Sequence, residues 1–205
     1  MDDAEMNEML GMIPAIHHRR IGRLQKARDR QNSMIAKLLL SRCIELAGIY
    51  DVDLNSLVYD GLHKPYMSGK FDFNMSHSDN TVLCALTTEG RIGVDIEANR
   101  EIDVNGLLEH FDPVDHNTMM TPGGKEFFYY RWTQKESVLK AAGLGLSVPP
   151  TEVIIAHTPW SPSTTRAWLR GQTWYLTEVK LQAGYTSQIA IDHEAELMIK
   201  EVHLS

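Results

Sequence analysis

Apolar residues recur at helical spacing in the early part of the chain, between Ile16 and Leu46. The residues that set this period are Ile21, Leu24, Ile35, Leu38 and Leu39. The pattern predicts a helix over residues 16–46, with an interruption near Asp29. Residues 1–13 are acidic and rich in methionine, and they are expected to form a loosely held start.

Short apolar runs rich in β-branched residues come next. Residues 81–88 and 91–97 are two such runs, and the Glu89-Gly90 pair between them predicts a hairpin. The segment Phe73-Asn74-Met75-Ser76-His77-Ser78-Asp79 is a polar cluster just before the first of these predicted strands.

The remaining sequence mixes helical and strand patterns. Pro113 starts a short helical piece, and a long helix is expected from Lys125 to Ala142, where Gly143 and Gly145 end it. Strand-like runs occupy residues 152–156, 174–182, 186–192 and 196–202, with an exposed loop at 159–163. Each half thus combines helices with a small antiparallel sheet, which predicts the α+β class rather than a parallel doubly wound fold.

Composition is typical of a folded globular protein and excludes several classes. Of 205 residues, 43% are hydrophobic, and the longest apolar run, residues 82–86, is far shorter than the roughly 20 residues that span a bilayer. The acidic N-terminus is unlike a secretory signal, so we expect a cytoplasmic location. Cys43 and Cys84 are too few for a disulfide scaffold and lie in apolar segments, so we assign them no chemistry.

Charge is unevenly distributed along the chain. The net charge of −7 argues against a general nucleic-acid binder, yet residues 19–42 hold only one acid, Asp29, among many basic side chains. The basic residues are Arg19, Arg20, Arg23, Lys26, Arg28, Arg30, Lys37 and Arg42. Several fall opposite the apolar side of the predicted helix, which is typical either of a solvated face or of a phosphate-binding surface.

Two carboxylates share one face of a predicted strand. In Gly93-Val94-Asp95-Ile96-Glu97, strand alternation places Asp95 and Glu97 together, on the side opposite the apolar residues. Neighbouring carboxylates repel each other, so the pair either faces solvent or holds a cation between its members.

The long helix adds a third carboxylate. Trp132, Glu136 and Lys140 recur every fourth residue and therefore lie on one side of it. The simplest alternative is a helical Glu-to-Lys pair with no further role. Three carboxylates without an evident His or Cys ligand nearby favour a hard cation such as Mg²⁺, which retains positions for water and phosphate oxygens.

Ser76 and His77 are adjacent in the polar cluster, but they do not have the pattern of a hydrolase pair. Ser76 lacks a glycine-flanked elbow, and no acid partner for His77 is evident. Taken alone, a histidine in this position is more often a capping or turn residue than a catalyst.

Three segments in this order resemble the motifs of the surfactin-synthetase-activating, Sfp-like type of 4′-phosphopantetheinyl transferase. They are Phe73-Asn74-Met75-Ser76-His77-Ser78, Ile92-Gly93-Val94-Asp95-Ile96-Glu97, and residues 132–146, which begin Trp132-Thr133-Gln134-Lys135-Glu136-Ser137. Lys64-Pro65-Tyr66 is similar to the family's Lys-Pro element, which approaches the nucleotide end of coenzyme A. The order and separation of the motifs make the resemblance specific, and it extends over residues 16–200.

The resemblance implies a reaction of the holo-acyl-carrier-protein synthase kind. The 4′-phosphopantetheine arm of coenzyme A passes to a serine hydroxyl of an apo acyl or peptidyl carrier protein, and 3′,5′-adenosine bisphosphate is released. Asp95, Glu97 and Glu136 would hold Mg²⁺ on the coenzyme A pyrophosphate, and Glu136 would also take the serine proton. Fatty-acid, polyketide and peptide-synthetase carriers are all candidate partners.

The resemblance also implies coenzyme A contacts for several polar residues. Lys140 would pair with the reacting phosphate, while Ser76, His77 and Lys64 would contact coenzyme A. The sequence departs from the family at Asn32-Ser33, where many relatives carry Arg-Ser or Arg-Thr. The corresponding nucleotide-phosphate contact is therefore lost or moved to Arg28 or Arg30.

The family architecture implies two similar subdomains in a pseudo-twofold arrangement, each with a small antiparallel sheet and packed helices. Residues 1–100 would hold the basic helices and the first two motifs, and residues 101–205 would hold the metal-binding helix and further strands. Because residues from both must surround one coenzyme A, we expect the site at their junction in a functional monomer, with neither nucleic acid nor membrane as partner.

Two alternatives belong to other functional classes. The chain could be a coenzyme A or carrier-protein binding module of the same fold without transfer activity, although all three metal carboxylates are present. A DNA-associated regulator would use residues 19–42 as a basic helix, but the acidic remainder and the lack of a convincing helix-turn-helix count against it.

Overall fold

The computed structural model of the chain describes residues 3–62, 64–156 and 165–202, and it confirms the α+β class. The α-helices are α1 (Asp3–Gly11), α2 (His18–Gly22), α3 (Ala27–Leu46), α4 (Pro113–Met119) and α5 (Gly124–Ala142). The strands are β1 (Val58–Tyr59), β2 (Pro65–Tyr66), β3 (Asp72–Ser78), β4 (Thr81–Thr87), β5 (Ile92–Ala98), β6 (Ile154–Ile155), β7 (Thr165–Leu169), β8 (Gln172–Glu178) and β9 (Tyr185–Ile191). Short 3₁₀ turns lie at Ala15–His17, Leu54–Ser56, Val104–His110, Gly145–Ser147 and Pro150–Glu152.

The strands form three antiparallel sheets. Two are two-stranded, β1-β2 and β3-β4, and the third is five-stranded in the order β5-β9-β8-β7-β6. We refer to α1 through β4 as the N-terminal part and to β5 through β9 as the C-terminal part. The division predicted at residue 100 stays a prediction, and β5, which precedes that position, is hydrogen-bonded to β9 of the C-terminal part.

The N-terminal part packs α3 against the β3-β4 hairpin. Leu40 and Ile44 of the helix contact Phe73 of β3 in a buried apolar cluster. The sequence predicted a loosely held segment over residues 1–13. In the structure residues 3–11 instead form α1, whose methionines pack near Ile13 and Met34. This contact partly buries Met6 and Met9, which would otherwise be solvated.

The predicted helix over residues 16–46 is interrupted, but earlier than expected. The break lies at residues 23–26, between α2 and α3, rather than near Asp29. The Arg30 guanidinium donates to the carbonyl oxygens of Leu24 and Gln25, at 2.7 and 3.0 Å, and so stabilises this turn. The position of the break could not be predicted, because a hydrogen bond from a long side chain to a carbonyl several residues away does not alter the periodic pattern of the sequence.

The C-terminal part places α5 across β5 and β9. Val138, Leu139 and Ala141 of the helix are buried against Trp174 and Leu176 of β8. The helix ends as predicted, because Gly143 adopts a left-handed φ of 71°. The short helix predicted after Pro113 is also confirmed, as α4. Among the helices of the described ranges, none combines the length and apolar character needed to cross a membrane.

Several strand predictions were wrong in detail. The polar cluster at residues 73–79 lies largely in a strand, β3, and β7 was missed. Residues 81–88 and 91–97 do form strands, but they do not pair as a hairpin, since β4 pairs with β3 and β5 pairs with β9. Residues 196–202 form no strand, and the predicted loop at 159–163 lies outside the described residues.

The two parts meet along a seam of side chains between β3 and β5, which run in the same direction. Alternate polar residues of β3 accept backbone N–H groups of β5. The pairs are Asp72 Oδ2 with Ile92 (3.0 Å), Asn74 Oδ1 with Val94 (3.1 Å), and Ser78 Oγ with Ala98 (3.0 Å). The hairpin prediction failed because β3 occupies the edge of β5 that β4 would have needed.

Candidate functional site

The second and third motifs converge because α5 lies across β5. Gly93 makes this close approach possible, since a Cβ at that position would lie 2.1 Å from the carbonyl oxygen of Ser137. The predicted alternation of β5 is confirmed at its apolar face, where Val94 and Ile96 are buried. Asp95 lies on the same side of β5 as Gly93, which faces α5 and its Lys140.

Asp95, Lys140 and Ser76 form a closed set of hydrogen bonds at the seam. The Lys140 ammonium lies 2.5 Å from Asp95 Oδ1 and donates to Ser76 Oγ at 2.9 Å. Ser76 Oγ in turn donates to Asp95 Oδ1 at 3.0 Å. Asp95 is only 3% exposed, so its charge is balanced by the lysine rather than by solvent. One residue from each motif meets here.

Glu97 is held by the next serine along β3. Ser78 Oγ donates to Glu97 Oε2 at 3.1 Å while it accepts the Ala98 backbone N–H. Burial raises the pKa of the Glu97 carboxyl, and the neighbouring charge on Asp95 raises it further. The two serines of the first motif therefore orient the two carboxylates of the second.

Glu136 completes the group from the preceding turn of α5. Burial raises the pKa of its carboxyl, and the charges on Asp95 and Glu97 add to this increase, against the lowering effect of Lys140. Glu136 Oε1 and Asp95 Oδ2 are buried and have no hydrogen-bond partner within the described residues. A buried anionic oxygen without a donor is costly unless a cation neutralises it.

The donor chemistry of these carboxylates fits a hard divalent cation. Asp95, Glu97 and Glu136 offer oxygen ligands alone, as Mg²⁺ prefers, and two of their oxygens are unpartnered. As the side chains stand, no three Asp, Glu, His or Cys residues of the described ranges are gathered closely enough to form a ready metal-binding group. Lys140 is the cation that faces Asp95 in this arrangement.

An open cleft of about 490 Å³ lies at the other end of β3 from Asp72. Its lining includes Lys26, Arg28, Asp29, Asn32, His77, Ser78, Asp79 and Arg100. Asn32 donates to the backbone oxygen of Asp79 at 3.0 Å, and its Nδ2 lies 3.4 Å from His77 Nδ1. Partial burial, followed by the charge of Lys140, lowers the pKa of His77 and favours a neutral imidazole at pH 7.

The structure places the two arginines that the sequence left as alternatives in different settings. Arg30 donates to backbone carbonyls in the turn before α3, whereas Arg28 lines the cleft and donates to Asp79 Oδ1 at 3.1 Å. Arg28 is therefore the one positioned to meet a ligand in the cleft.

Lys64 is not brought together with this cleft. Its Nζ lies 3.7 Å from Asp72 Oδ2, and β3 from Asp72 to Ser78 spans about 20 Å. Burial, opposed by the charge of Asp72, lowers the pKa of Lys64. Lys64 instead approaches the C-terminal end of α5, where its Cδ would contact a Cβ added at Gly143.

Sequence reasoning missed Asp79 and Arg100. Asp79 belongs to the turn after the first motif, and Arg100 follows Glu97 by three residues. Only the fold brings them together, and the sequence signal that could have suggested it is the position of each just beyond a recognised motif.

Two family models match consecutive parts of the chain. Residues 2–89 match the model described as 4′-phosphopantetheinyl transferase, N-terminal, and residues 91–191 match that of the 4′-phosphopantetheinyl transferase superfamily. The boundary between the matches falls between β4 and β5, at the change from the N-terminal to the C-terminal part.

Curated relatives carry the same description. A 4′-phosphopantetheinyl transferase of Bacillus subtilis is 27% identical over 71% of this chain and 66% of its own length. The 4′-phosphopantetheinyl transferase HetI of a Nostoc species is 33% identical over 54% of this chain and 52% of its own. Sfp of Bacillus subtilis strain 168 is 35% identical over 38% of this chain and 35% of its own. The matched region thus spans from about one third to just under two thirds of these relatives.

With the two family models covering both of its parts, the chain belongs to the 4′-phosphopantetheinyl transferase family, and to its Sfp-like type.

Proposed function

We propose that this chain transfers the 4′-phosphopantetheine moiety of coenzyme A to a serine hydroxyl of an apo acyl or peptidyl carrier protein, with release of 3′,5′-adenosine bisphosphate. The observation that carries the proposal is the convergence of Ser76, Asp95 and Lys140, one from each motif, beside the buried carboxylate of Glu136. A holo-acyl-carrier-protein synthase is the specific form of this activity that we propose.

Lys140 would serve the reacting phosphate. Its ammonium is shared between Asp95 and Ser76 and is partly exposed, at 28% of the side chain, so a phosphate oxygen can reach it. A cation held against an anionic substrate stabilises charge that develops on the phosphate as the bond to the leaving group breaks. Asp95 and Ser76 fix where that charge is presented.

Glu136 would act as the base toward the carrier serine. No side chain or backbone group of the described residues donates to its buried Oε1, so the carboxylate is not engaged elsewhere and would take the serine proton directly or through water. Asp95, Glu97 and Glu136 are the residues that would hold Mg²⁺. When bound, such an ion neutralises negative charge on the pyrophosphate oxygens of coenzyme A.

Coenzyme A would lie along β3. His77 and Arg28 line the cleft at the end of this strand, where the nucleotide would lie, and Lys64 stands near its beginning. The pyrophosphate would lie between them, at Ser76 and Lys140. The contact with the nucleotide end that the resemblance implied for Lys64 is therefore not part of this arrangement.

Basic residues of α2 and of the turn that follows it would offer a docking site for the carrier protein, and one of them, Lys26, also lines the cleft. Arg19, Arg23 and Lys26 are exposed, and no ion pair neutralises them within the described part of the chain. Carrier proteins of this kind are usually acidic, and complementary charge accelerates encounter. Raising ionic strength should therefore increase the KM for the carrier more than it decreases kcat.

The proposal is tested by incubating the purified chain with coenzyme A, MgCl₂ and apo carriers of the fatty-acid, polyketide and peptide-synthetase types. Intact-mass spectrometry should show a carrier adduct of about +340 Da, as expected for covalent modification by the pantetheinyl arm. Coenzyme A binding measured by calorimetry without any adduct would identify the chain as a binding module instead. Sedimentation velocity on the same sample tests our expectation that the active species is a monomer.

A further inference from the structure

Two arginines from different parts of the chain meet on one carboxylate at the rim of the cleft. Arg28 of α3 donates to Asp79 Oδ1 at 3.1 Å. Arg100, which follows β5, donates through Nη2 to the same oxygen and through Nε to Oδ2 at 3.3 Å. The arginine side chains are 56% and 62% exposed, against 29% for Asp79. The guanidinium groups are thus accessible while the carboxylate lies between them.

The backbone of Arg100 is fixed although its side chain is exposed. The Tyr129 hydroxyl lies 3.2 Å from both the N–H and the carbonyl oxygen of Arg100, and the Arg100 N–H also bonds the Ala98 carbonyl. Tyr129 is buried on α5, the helix that carries Glu136 and Lys140. The same helix therefore sets the position of Arg100 and of the candidate catalytic residues.

The backbone of Asp79 is also fixed, whereas its carboxylate is held, in the described part of the chain, only by exposed ion pairs. Its carbonyl oxygen accepts from Asn32, and its φ of 49° belongs to the turn between β3 and β4. The carboxylate is held only by the two arginines in the hydrogen bonds of the described residues. Exposed ion pairs of this kind are weak, so the carboxylate can rotate away without disturbing the turn.

We propose that Arg28 and Arg100 form a phosphate clamp, in which Asp79 is a resident anion that a phosphate group of the nucleotide displaces. This inference rests on the proposed function and names how the site would recognise its substrate. The cleft holds Lys26, Arg28 and Arg100 against Asp29 and Asp79. Removing the Asp79 carboxylate from between the arginines leaves an excess of positive charge that a phosphomonoester dianion matches.

Anion charge supports the exchange. Arginine donates parallel N–H bonds to a phosphate as it does to a carboxylate, but a phosphomonoester dianion carries about twice the charge of the Asp79 carboxylate and has three terminal oxygens to share between two guanidinium groups. The reacting pyrophosphate is assigned to Lys140 and Ser76, so the clamp is left for a second phosphate group at the nucleotide end. Arg100 would then be a binding residue that the N-terminal part alone could not supply.

Calorimetry with small nucleotides tests the clamp without Mg²⁺ or a carrier. The probes are adenosine 3′,5′-bisphosphate and adenosine 5′-monophosphate, which lacks the second phosphate. We expect Arg100→Gln to weaken bisphosphate binding about tenfold, the scale of one charge-assisted contact, and to leave monophosphate binding nearly unchanged. Asp79→Asn should strengthen bisphosphate binding several-fold, and asparagine tolerates the positive φ of this turn.

Arg170→Gln is the matched control. Arg170 has the same exposure as Arg28 and one carboxylate partner, Glu152, outside the cleft, so its removal should change neither affinity. The clamp is overturned if Arg100→Gln keeps the wild-type ratio of the two affinities, if Asp79→Asn weakens bisphosphate binding, or if the wild type does not prefer the bisphosphate. A chain that shows the expected ratios but forms no carrier adduct would refute the transfer activity and leave the clamp supported.

Discussion

Asn74 on β3 accepts the backbone N–H of Val94 on β5 through its Oδ1, across 3.1 Å. A side chain here takes the role that a neighbouring strand has in an ordinary sheet. Both residues are buried, so neither group can turn to water instead. Because Ser76 and Asp95 follow in the same two strands, this bond sets the alignment on which the site depends.

We expect Asn74→Leu to leave the Val94 N–H buried without an acceptor and to lower the free energy of unfolding by about 1–3 kcal/mol. Urea denaturation measures the loss, and hydrogen exchange at the Val94 amide locates it. Asn105→Leu, at an exposed asparagine, should change stability by less than about 0.5 kcal/mol. Unaltered exchange at Val94 in Asn74→Leu would show that the seam does not depend on this bond.

The contact between β5 and α5 gives a steric prediction. A Cβ at Gly93 would lie 2.1 Å from the Ser137 carbonyl oxygen and 2.4 Å from the Ala141 nitrogen, both in the backbone. Gly93→Ala should therefore push the helix off the strand, destabilise the chain by about 3 kcal/mol and abolish activity. Gly106→Ala, where a Cβ meets nothing within 4 Å, is the control. A fully stable, active Gly93→Ala would contradict the close packing.

Lys37 gives a prediction on pH. Burial, followed by the charge of Arg20, lowers the pKa of Lys37 to about 8 in the folded chain, from an ordinary value of 10.5. Below pH 8 both states carry the charge, and between pH 8 and 10.5 the unfolded state binds more protons, so this group's contribution to stability rises with pH.

Lys37→Met removes the buried charge and also the two hydrogen bonds that Lys37 donates to Ser33. It should raise the free energy of unfolding by about 2 kcal/mol at pH 7, with the gain shrinking toward pH 10.5. Urea denaturation of both proteins at pH 7, 8.5 and 10 isolates the effect as a difference. A gain that does not depend on pH would mean that packing rather than charge is responsible.

His77 allows binding to be separated from catalysis. Its place in the cleft implies a contact made both in the ground state and in the transition state, so His77→Ala should raise the KM for coenzyme A more than it lowers kcat. Steady-state kinetics at varied coenzyme A provides the measurement. A collapse of kcat with KM unchanged would indicate that His77 transfers a proton, and the assigned role would be wrong.

The sequence predicted α5 and its end well because a long helix has a strong period and Gly143 supplies a left-handed C-terminus. The sequence did not predict β3. Alternate side chains of this strand hydrogen-bond to the backbone of β5 and are therefore polar, so the strand lacks the alternation of buried apolar and exposed polar residues that predicts a strand. The missing hairpin has the same origin. Whether two strands pair depends on which other strands can occupy the same sheet edge, and the local sequence pattern of a strand does not contain that information.

The candidate site was predictable to the extent that it lies in motifs. The sequence placed Asp95 and Glu97 on one face of a strand and Glu136 and Lys140 on one side of a helix. The structure brings Asp95 and Lys140 into contact. Arg28 and Arg30 could not be separated from sequence, since both precede Asn32 on the same helix and differ only in what their guanidinium groups reach. Arg100 stayed hidden because its position depends on the Tyr129 hydroxyl of a different element.

The carboxylates provide the prediction closest to the chemistry. Asp95→Asn, Glu97→Gln and Glu136→Gln should each lower the rate of carrier modification by on the order of 10² or more, and the rate should depend on Mg²⁺ or Mn²⁺. Because the three would act on one ion, a double variant should be little worse than the worse single variant. Glu126→Gln, an exposed residue of the same helix, should retain wild-type activity.

The most direct test is the single-turnover rate of carrier modification at saturating coenzyme A, followed by intact mass, for wild type and Glu136→Gln. We predict an adduct on the carrier serine with the wild type, its loss in EDTA, and a rate for Glu136→Gln at least about 10² lower with coenzyme A still bound. A wild-type rate in EDTA, a nearly unchanged Glu136→Gln, or no adduct on any carrier would contradict the account.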